Sequence, residues 1–548
     1  MKNNDLLRRD FLRVGSLGVA GALPIAASAA QNAPTAAPNP GVFNIRTHGA
    51  TGDGKTLDTA AINRAIDAVA SQGGGTVLFP AGVYLTFSIH LRSNVHLYLD
   101  RGATILAAES PRPGDTTGYN GGTYDAAEPN APWEPYQDYG HNHWHNSLIW
   151  GENLHDISIT GSGLIYGKGL SFGINGAKQN DRGSYPAYVA EQPGVGNKSI
   201  ALKNCRNVLL RDFSILKGGH FGLLATGVDN LTIDNLTIDT DRDGLDIDCC
   251  QNVRVSNCTV NSPWDDAIVP KSSYALGYPR PSRNITITNC YVAGCYELGS
   301  VLDGTFRKFP VGKHSYGTGR IKFGTESNGG FQNVAVSNCV FEGCNGYALE
   351  TVDGALLEDF AITNTTMRDL SCPPLFLRLG ARLRGPKEST NVGTFKRVLI
   401  SNLVCHNAPG WQSSIISGIP NHPIEDLKLS DIYVEHAGGG TAEQAATQVP
   451  ELIDGYPDPG AFKVTPASAF FLRHVRNLEM SHVEVANITP DARPAFYLDD
   501  VERADFFAIT APRTAEGAIA LHNVKDLRIS WSRAAQDKVL ANADGETL

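Results

Sequence analysis

The chain repeats one six-residue phrase, seen best in Asn230-Leu231-Thr232-Ile233-Asp234-Asn235. The same order of asparagine, apolar, any, apolar, any and asparagine recurs at 252–257, 284–289 and 333–338, and weaker copies start at residues 207, 359, 397 and 426. Alternating apolar residues, many of them β-branched, are typical of a strand with one buried face. We expect the final asparagine to lie at a turn, stacked on its counterparts and bonded to exposed backbone groups.

The spacing of these copies indicates a solenoid. Successive copies start 23, 22, 32, 49, 26, 38 and 29 residues apart. A unit of about 22 residues is too short for a propeller blade or a helix pair, but it suits one coil of a solenoid. Loops at 274–282 and 384–394 lengthen two steps, and we interpret the step of 49 as two coils, one lacking the phrase. The sequence therefore predicts an all-β fold, a single-stranded right-handed parallel β-helix.

One stretch before the coils, Leu57 to Gln72, has the periodicity of a helix. Asp58 or Thr59 is expected to cap its start, and three glycines at 73–75 end it. We predict that this helix covers the apolar open end of the solenoid, as an end-cap must. Its apolar positions share one face: Ile62, Ile66 and Val69.

Composition limits the class of protein. Of the 548 residues, 42% are hydrophobic and 19% charged, so a large core is possible and wholesale disorder is excluded. The chain has 46 basic and 56 acidic residues, a formal net charge of −10. This balance argues against a nucleic-acid partner, which would require a basic surface.

The first thirty residues are predicted to be a signal peptide. Leu7–Arg13 resembles a twin-arginine export signal, and the uncharged stretch Val14–Ala29 is too short to span a bilayer comfortably. We therefore expect recognition by the twin-arginine translocase, a periplasmic or secreted location, and no membrane span in the mature chain. That system moves folded chains, so the ten cysteines need not form disulfides.

The remaining chain is predicted to be a linker at 31–41 followed by one β-helix domain at 42–548. Within it we expect an N-terminal cap at 42–110, core coils at 147–384 and weaker C-terminal coils at 385–548. No cofactor is expected.

A phosphate-loop pattern at 49–56 is treated as coincidental. Such a loop follows a buried strand, whereas Phe43-Asn44-Ile45-Arg46 is not one, and Asp53 would place a carboxylate among the phosphates.

The run His141-Asn142-His143-Trp144-His145 has three open interpretations. Three histidines can bind a metal, although this spacing on a loop is a weak signal. Trp144 could stack on a sugar, or the run could be structural, which we favour. No metal site is predicted.

The carboxylates carry the chemistry. Thirteen residues after successive repeat starts the chain has His220, Asp243, Asp265 and Glu297. Residues at the same position of successive coils lie on one face of a solenoid, about 4.8 Å apart from one coil to the next. Asp266 adjoins Asp265, so we expect three aspartates to cluster.

Arg320-Ile321-Lys322 falls in the same column and adds two cations. A lone aspartate at a β-helix turn is usually a structural cap. Three converging acids favour catalysis instead, because like charges packed together cost stability. One carboxyl can protonate a glycosidic oxygen while the others activate water, and nearby cations would bind a substrate carboxylate.

At these residues the chain resembles glycoside hydrolase family 28, the polygalacturonase family of pectin-degrading enzymes. The resemblance covers residues 43–384 and, more faintly, the end of the chain. The family's Asn-Thr-Asp-Gly motif appears as Asp241-Arg242-Asp243-Gly244, its paired aspartates as Asp265-Asp266, and its Arg-Ile-Lys motif as Arg320-Ile321-Lys322. The fold that the resemblance implies is the pectin-lyase-like solenoid.

The resemblance also implies roles. Asp265 would be the general acid, while Asp243 and Asp266 would position and activate water, with inversion at the anomeric carbon. The implied substrate is an α-linked pectic polysaccharide that contains galacturonic acid. The candidate substrate-binding residues are Arg320, Lys322, Lys271, His220 and Glu297.

One family residue is missing. The Gly-His-Gly histidine belongs on the coil after the paired aspartates, where the chain reads Cys295-Tyr296-Glu297-Leu298. A rival alignment places it at Gly317-Thr318-Gly319 and moves the Arg-Ile-Lys equivalent to Ala348-Leu349-Glu350. We prefer the first, because consecutive coils then carry consecutive motifs. Rhamnogalacturonan-cleaving relatives also lack that histidine, so rhamnogalacturonan is the alternative substrate.

Two other functions stay open: a polysaccharide lyase, which would need a cationic base and usually calcium, and a non-catalytic adhesin. Loops 111–140 and 306–316 are candidates for walls that favour attack at chain ends. A further basic cluster could bind extra substrate carboxylates or pair with surface acids: Arg378, Arg382 and Arg384.

Overall fold

The computed structural model describes residues 41–138, 140–171, 188–297, 300–305, 307–309 and 317–548. The predicted signal peptide, most of the predicted linker and most of loop 306–316 lie outside these residues. Gly41–Leu548 forms one compact unit.

The chain winds into a parallel β-helix, in which each strand pairs with strands of the coils before and after it. The register keeps repeat positions in line: Leu231 pairs with Val253, and Val253 with Ile285. These apolar side chains point inward and form the core. On the first face the strands are Val42–Asn44, Gly75–Phe79, Val95–Leu99, His155–Thr160, Arg206–Arg211, Asp229–Asp234, Gln251–Ser256 and Ser282–Thr288.

A second face carries shorter parallel strands: Asp53–Leu57, Gly82–Thr86, Ala103–Ala107, Leu164–Tyr166, Ser214–Leu216, Thr237–Asp239, Thr259–Asn261 and Tyr291–Ala293. Further along, single long strands replace the strands of the first two faces. For example, the long strand Phe331–Glu342 pairs with both Ser282–Thr288 of the first face and Tyr291–Ala293 of the second. The long strands are Phe331–Glu342, Leu356–Arg368, Thr394–Ala408, Ile424–Gly438, Phe470–Thr489, Phe496–Phe507 and Ile519–Ser530.

The third face, here called the site sheet, carries the predicted functional residues. It begins with Ile89–His90, Ser147–Glu152, Lys198–Lys203, Phe221–Thr226, Asp243–Asp248 and Ile268–Lys271. A parallel bridge between Ile268 and Ile321 continues it. Its later strands are Lys322–Phe323, Tyr347–Thr351, Leu375–Leu379 and Ser414–Ser417.

The helices are short, apart from the one before the coils. The C-terminal strands Lys538–Ala543 and Glu546–Thr547 pair antiparallel with the preceding long strand. No helix of the described part of the chain is long and apolar enough to cross a membrane. The α-helices are Thr59–Ser71, Ser300–Asp303 and Ala442–Ala445, and the 3-10 helices are Ile45–His48, Tyr119–Gly121, Glu134–Tyr136 and Pro459–Phe462.

The final asparagines of the repeat lie at turns and stack, as predicted: Asn235 donates its side-chain amide to Asp212 over 2.9 Å, and Asn289 donates to Asn257 over 3.3 Å. The first asparagines form a second ladder within the strands of the first face. Asn230 donates its side-chain amide to Asn207 over 2.9 Å and accepts from Asn252 over 3.3 Å. Each adopts the left-handed backbone conformation, with φ of 56°, 55° and 58° for Asn207, Asn230 and Asn252. Asparagine suits both demands, because it tolerates positive φ and its amide both donates and accepts.

The 49-residue step is one coil, and its interpretation as two coils was wrong. Asn333 donates directly to Asn284 over 2.8 Å, and Val334 pairs with Ile285. The chain therefore leaves the coil after Tyr291–Ala293 and returns to the site sheet near Ile321. A long insertion, rather than an unsigned coil, accounts for the length.

The predicted helix before the coils is present as Thr59–Ser71, and its apolar face joins the core. Asp58 precedes the helix but does not cap it with its side chain. Its carboxylate instead accepts from the backbone amides of Thr51 and Gly52, over 2.7 and 3.0 Å. Because a carboxylate already occupies these amides, the phosphate-loop pattern is a structural turn.

We predict that Asn230→Ala destabilises the protein by about 1–3 kcal/mol, through positive φ and the loss of two ladder bonds. Asn230→Gly tolerates the backbone and loses only the ladder, so its cost is predicted to be smaller. Urea denaturation of both variants measures this, and a glycine variant less stable than the alanine variant would contradict the explanation.

Candidate active site

The three predicted aspartates meet at the start of two neighbouring strands of the site sheet. Asp243 opens its strand, and the backbone N–H of Gly244 donates to the carbonyl of Asp266 on the next coil over 3.0 Å. Carboxylate oxygens of Asp243, Asp265 and Asp266 all lie within 4.8 Å of one another. The N–H of Asp266 donates to the carboxylates of both Asp243 and Asp265, over 3.0 and 3.1 Å. The predicted cluster of acids is therefore present.

Asp266 is held by two buried cations from the next coil. Arg320 Nε lies 2.8 Å and Lys322 Nζ 3.2 Å from its carboxylate. Burial alone would raise the pKa of Asp266, but the two cations outweigh it and lower the pKa to about 2. Asp266 is consequently a carboxylate over the whole working range of an enzyme.

Asp243 has the opposite environment. Burial, followed by the nearby charges of Asp246 and Asp265, raises its pKa well above the usual value. Lys271 offers partial compensation, with Nζ 3.8 Å from Asp243 and 3.4 Å from Asp246. Neighbouring carboxyls with pKa values pushed apart are a property of acid–base sites.

Further buried acids belong to this network and were missed from the sequence, among them Glu350, 3.9 Å from Lys322. Asp246 is fully buried, and burial raises its pKa to about 7. Glu326 lies 3.5 Å from Lys271. Asp246 has a sequence signal, because it lies on a strand between the core residues Leu245 and Ile247 and so must face outward. Glu326 follows the insertion, and its position depends on where the chain rejoins the sheet.

Asp265 is the most accessible of the three aspartates, with 26% of its side chain exposed against about 5% for the other two. Arg242 Nη2 lies 2.7 Å from its carboxylate and 3.3 Å from Nε2 of His220. Burial, then Arg242, lowers the pKa of His220 well below its usual value, so that the ring is neutral. His220 thus contacts the cluster through Arg242.

Glu297 does not continue the predicted stripe. It lies in the insertion and forms an ion pair with Arg307, because the coil that starts at 284 reaches the site sheet at Ile321 rather than thirteen residues on. Gly319 donates its N–H to the carbonyl of Asp265 over 2.8 Å. The coil after the paired aspartates is therefore the one that carries Gly317-Thr318-Gly319, which favours the rival alignment over the preferred one.

The segment Asp125–Asn146, described except for residue 139, lies over the site sheet and is here called the cover loop. Trp144 packs against Phe221 and Leu224 of the sheet and is 2% exposed, so its stacking on a sugar is contradicted. The histidines pair with separate acids. His143 lies 3.3 Å from Glu134, and the other two contact Glu326 (His141) and Glu152 (His145). These pairings support the structural interpretation of the run.

The further basic cluster is already occupied by protein groups. Arg378 donates to the backbone carbonyls of Gly418 and Leu452, over 2.9 and 2.7 Å. Arg382 pairs with Asp353, while Arg384 pairs with Asp138 of the cover loop and with Glu326. Pairing with acids therefore describes Arg382 and Arg384 better than binding of substrate.

Comparison with known proteins agrees with this geometry. Residues 42–120 match the family model "Rhamnogalacturonase A/epimerase, pectate lyase-like", and 146–278 and 198–369 match "Right handed beta helix region". A probable polygalacturonase of Vitis vinifera is 24% identical over 420 residues, 71% of this chain and 73% of that protein. An exo-poly-alpha-D-galacturonosidase of Dickeya chrysanthemi is 28% identical over 307 residues, 48% of each chain.

The resemblance to glycoside hydrolase family 28 is confirmed. The chain is a polygalacturonase-like glycosidase. A solved family 28 exopolygalacturonase of Yersinia enterocolitica has the same fold, with a TM-score of 0.55, 20% identity, and 85% of this chain and 78% of that chain covered. The predicted right-handed parallel β-helix with its capping helix is likewise confirmed. This glycosidase spans about half the length of its Dickeya relative.

The two buried aspartates of the glycosidase are predicted to differ in stability when each is changed to asparagine. Asp266→Asn removes the nearest carboxylate of Arg320 and Lys322 and leaves them only Glu350, 3.9 Å from Lys322, and breaking such a buried pair costs about 3–5 kcal/mol. Asp243→Asn costs less than about 1 kcal/mol, because the amide resembles the neutral acid that its environment favours. Denaturation at pH 7 compares them, and equal losses of stability would contradict these charge assignments.

Proposed function

We propose that this glycosidase hydrolyses an α-linked, galacturonic-acid-containing pectic polysaccharide by acid–base catalysis with inversion. The observation that carries the proposal is the group of three carboxylates within 4.8 Å, in which Asp265 keeps a quarter of its side chain exposed. A structural turn requires one carboxylate, whereas three carboxylates beside buried cations suit proton transfer to and from a substrate.

The different surroundings of the three aspartates suit them to different catalytic roles. Asp265 is the general acid, because its exposed carboxyl can reach a glycosidic oxygen. Asp266 is ionised and fixed by its cations, so it orients and polarises the attacking water. Asp243, whose surroundings favour its neutral form, contacts the same backbone N–H and helps to position that water. The pairs of opposed carboxyls in inverting enzymes are typically about 6.5–9.5 Å apart. In this site the attacking water would lie beside Asp243 and Asp266, which are neighbours on the same side of the substrate. The spacing of an opposed pair of carboxyls therefore does not apply.

We further propose attack at chain ends. The cover loop crosses the outer face of the site sheet, where Trp133 donates to the carbonyl of Ala275 over 3.1 Å and Asp138 binds Arg384 over 2.8 Å. A Cβ on Gly140 would lie 3.0 Å from the ring of His220. A loop anchored this closely limits how far a polymer can extend past the aspartates. The name of the Dickeya relative supports the same mode.

Asp265→Asn is predicted to lower turnover on polygalacturonan by about 10²–10⁴-fold, since an amide cannot supply the proton. The fold should be retained, because the side chain is partly exposed and makes no core contact. New reducing ends measure the activity. The matched control is Asp67→Asn, which removes an exposed carboxylate on the capping helix that pairs with Arg92.

Two outcomes would contradict the hydrolase, and a third would change its substrate. Full activity of Asp265→Asn would favour an adhesin with a contaminating enzyme, and an ultraviolet-absorbing unsaturated product would show a lyase. Preferential cleavage of rhamnogalacturonan over polygalacturonan would support the alternative substrate. Proton NMR of the first product decides whether the anomeric configuration inverts.

We also propose export through the twin-arginine translocase to the periplasm or beyond. The support is the sequence Leu7–Arg13 with the uncharged stretch that follows. In a host with this pathway, the double variant Arg8→Lys, Arg9→Lys is predicted to leave full-length precursor in the cytoplasm, measured by fractionation. Unchanged export of the double variant would contradict the route.

A further inference from the structure

The cations predicted to bind the substrate carboxylate are engaged by the protein itself. Arg320 and Lys322 are each 4% exposed and hold Asp266, while Lys271 is 5% exposed and serves Asp243, Asp246 and Glu326. Moving any of them to a substrate would leave a buried carboxylate unpaired, which costs several kcal/mol. The site therefore needs another cation if the substrate carries a carboxylate near the scissile bond.

Arg242 meets that need. Its side chain is 18% exposed and lies beside Asp265, which is 26% exposed, so both are accessible at the same place. Its Nε is buried without a hydrogen-bond partner. The backbone is fixed, since the Ser262 hydroxyl donates to the Arg242 carbonyl over 2.6 Å, and the guanidinium can move independently of it. This residue also stands where the Asn-Thr-Asp-Gly motif has threonine, so the charge is a feature of this chain.

The contact between Arg242 and Asp265 conflicts with the role of the acid. Arg242 Nη2 lies 2.7 Å from the Asp265 carboxyl and occupies it, whereas a general acid must contact the glycosidic oxygen. The charged groups that face Asp265 are Arg242 from the preceding coil and the carboxylates of Asp243 and Asp266. The conflict disappears if Arg242 changes partner when the substrate arrives.

We propose that Arg242 binds the carboxylate of a uronic-acid sugar at the scissile bond, and that this sugar displaces Asp265 from the guanidinium. The proposal rests on the proposed function. In the exchange one ion pair replaces another, and the freed Asp265 carboxylate takes a proton from solvent. Asp265 then donates that proton to the glycosidic oxygen as the bond from that oxygen to the anomeric carbon breaks. The attacking water bonds to the anomeric carbon and passes a proton to the Asp266 carboxylate.

The experiment compares wild type, Arg242→Gln and Arg242→Lys on galacturonate oligosaccharides and on their methyl esters. On the free acids Arg242→Gln should lower kcat/KM by about 10–100-fold, which corresponds to the loss of one charge-assisted hydrogen bond. Arg242→Lys should restore part of the lost kcat/KM, because it keeps the positive charge. On the esters the loss should be several-fold smaller. The matched control is Arg280→Gln, because Arg280 has the same 18% exposure but pairs with Asp229.

A second measurement needs no turnover. Galacturonic acid should inhibit wild type more strongly than galactose does, and Arg242→Gln should abolish that difference. Equal losses on acids and esters, or no loss on either, would overturn the assignment of Arg242. Failure of the wild-type protein to cleave any uronate polymer would contradict the proposed function instead, so the two failures can be told apart.

Discussion

Parallel pairing of successive coils is the constraint on which the rest of the structure depends. It places equivalent positions of successive coils side by side, so that the register of Leu245 with Ile268 brings Asp243 beside Asp266. Arg320 of the next coil then donates to the Asp266 carboxylate. The same rule stacks Asn207, Asn230 and Asn252 into a ladder. In one case stacking satisfies exposed side-chain amides, and in the other it concentrates charge.

Concentrated charge requires compensation, and the later coils provide it. Arg320 and Lys322 neutralise Asp266, while Lys271 bridges three acids. The result is a set of carboxyls with different proton affinities in one place, rather than three equivalent groups. Substrate recognition is then left to Arg242, the partly exposed cation beside Asp265. Structural cations and the recognition cation are thus separate residues.

The repeat phrase was enough to predict the fold, because its period and alternation are properties of the strands themselves. Asp243, Asp265 and Asp266 could be placed together for the same reason, since the coils around them are short and regular. Glu297 could not, because phase counting assumes that no insertion interrupts the coil. Glu326 was missed for that reason as well. Which side chains come into contact depends on the tertiary fold. The contacts of Trp144 and of the arginines at 378, 382 and 384 could therefore be seen only in the structure.

The most direct test of the account is to size the products that the purified wild-type protein releases from polygalacturonan over time. If the three aspartates hydrolyse the polymer from its ends, galacturonic acid or a single short oligosaccharide appears from the start, with one new reducing end per cleavage and no ultraviolet-absorbing product. Absence of new reducing ends, or products with an unsaturated sugar, would contradict the claim that these three aspartates form a hydrolytic site.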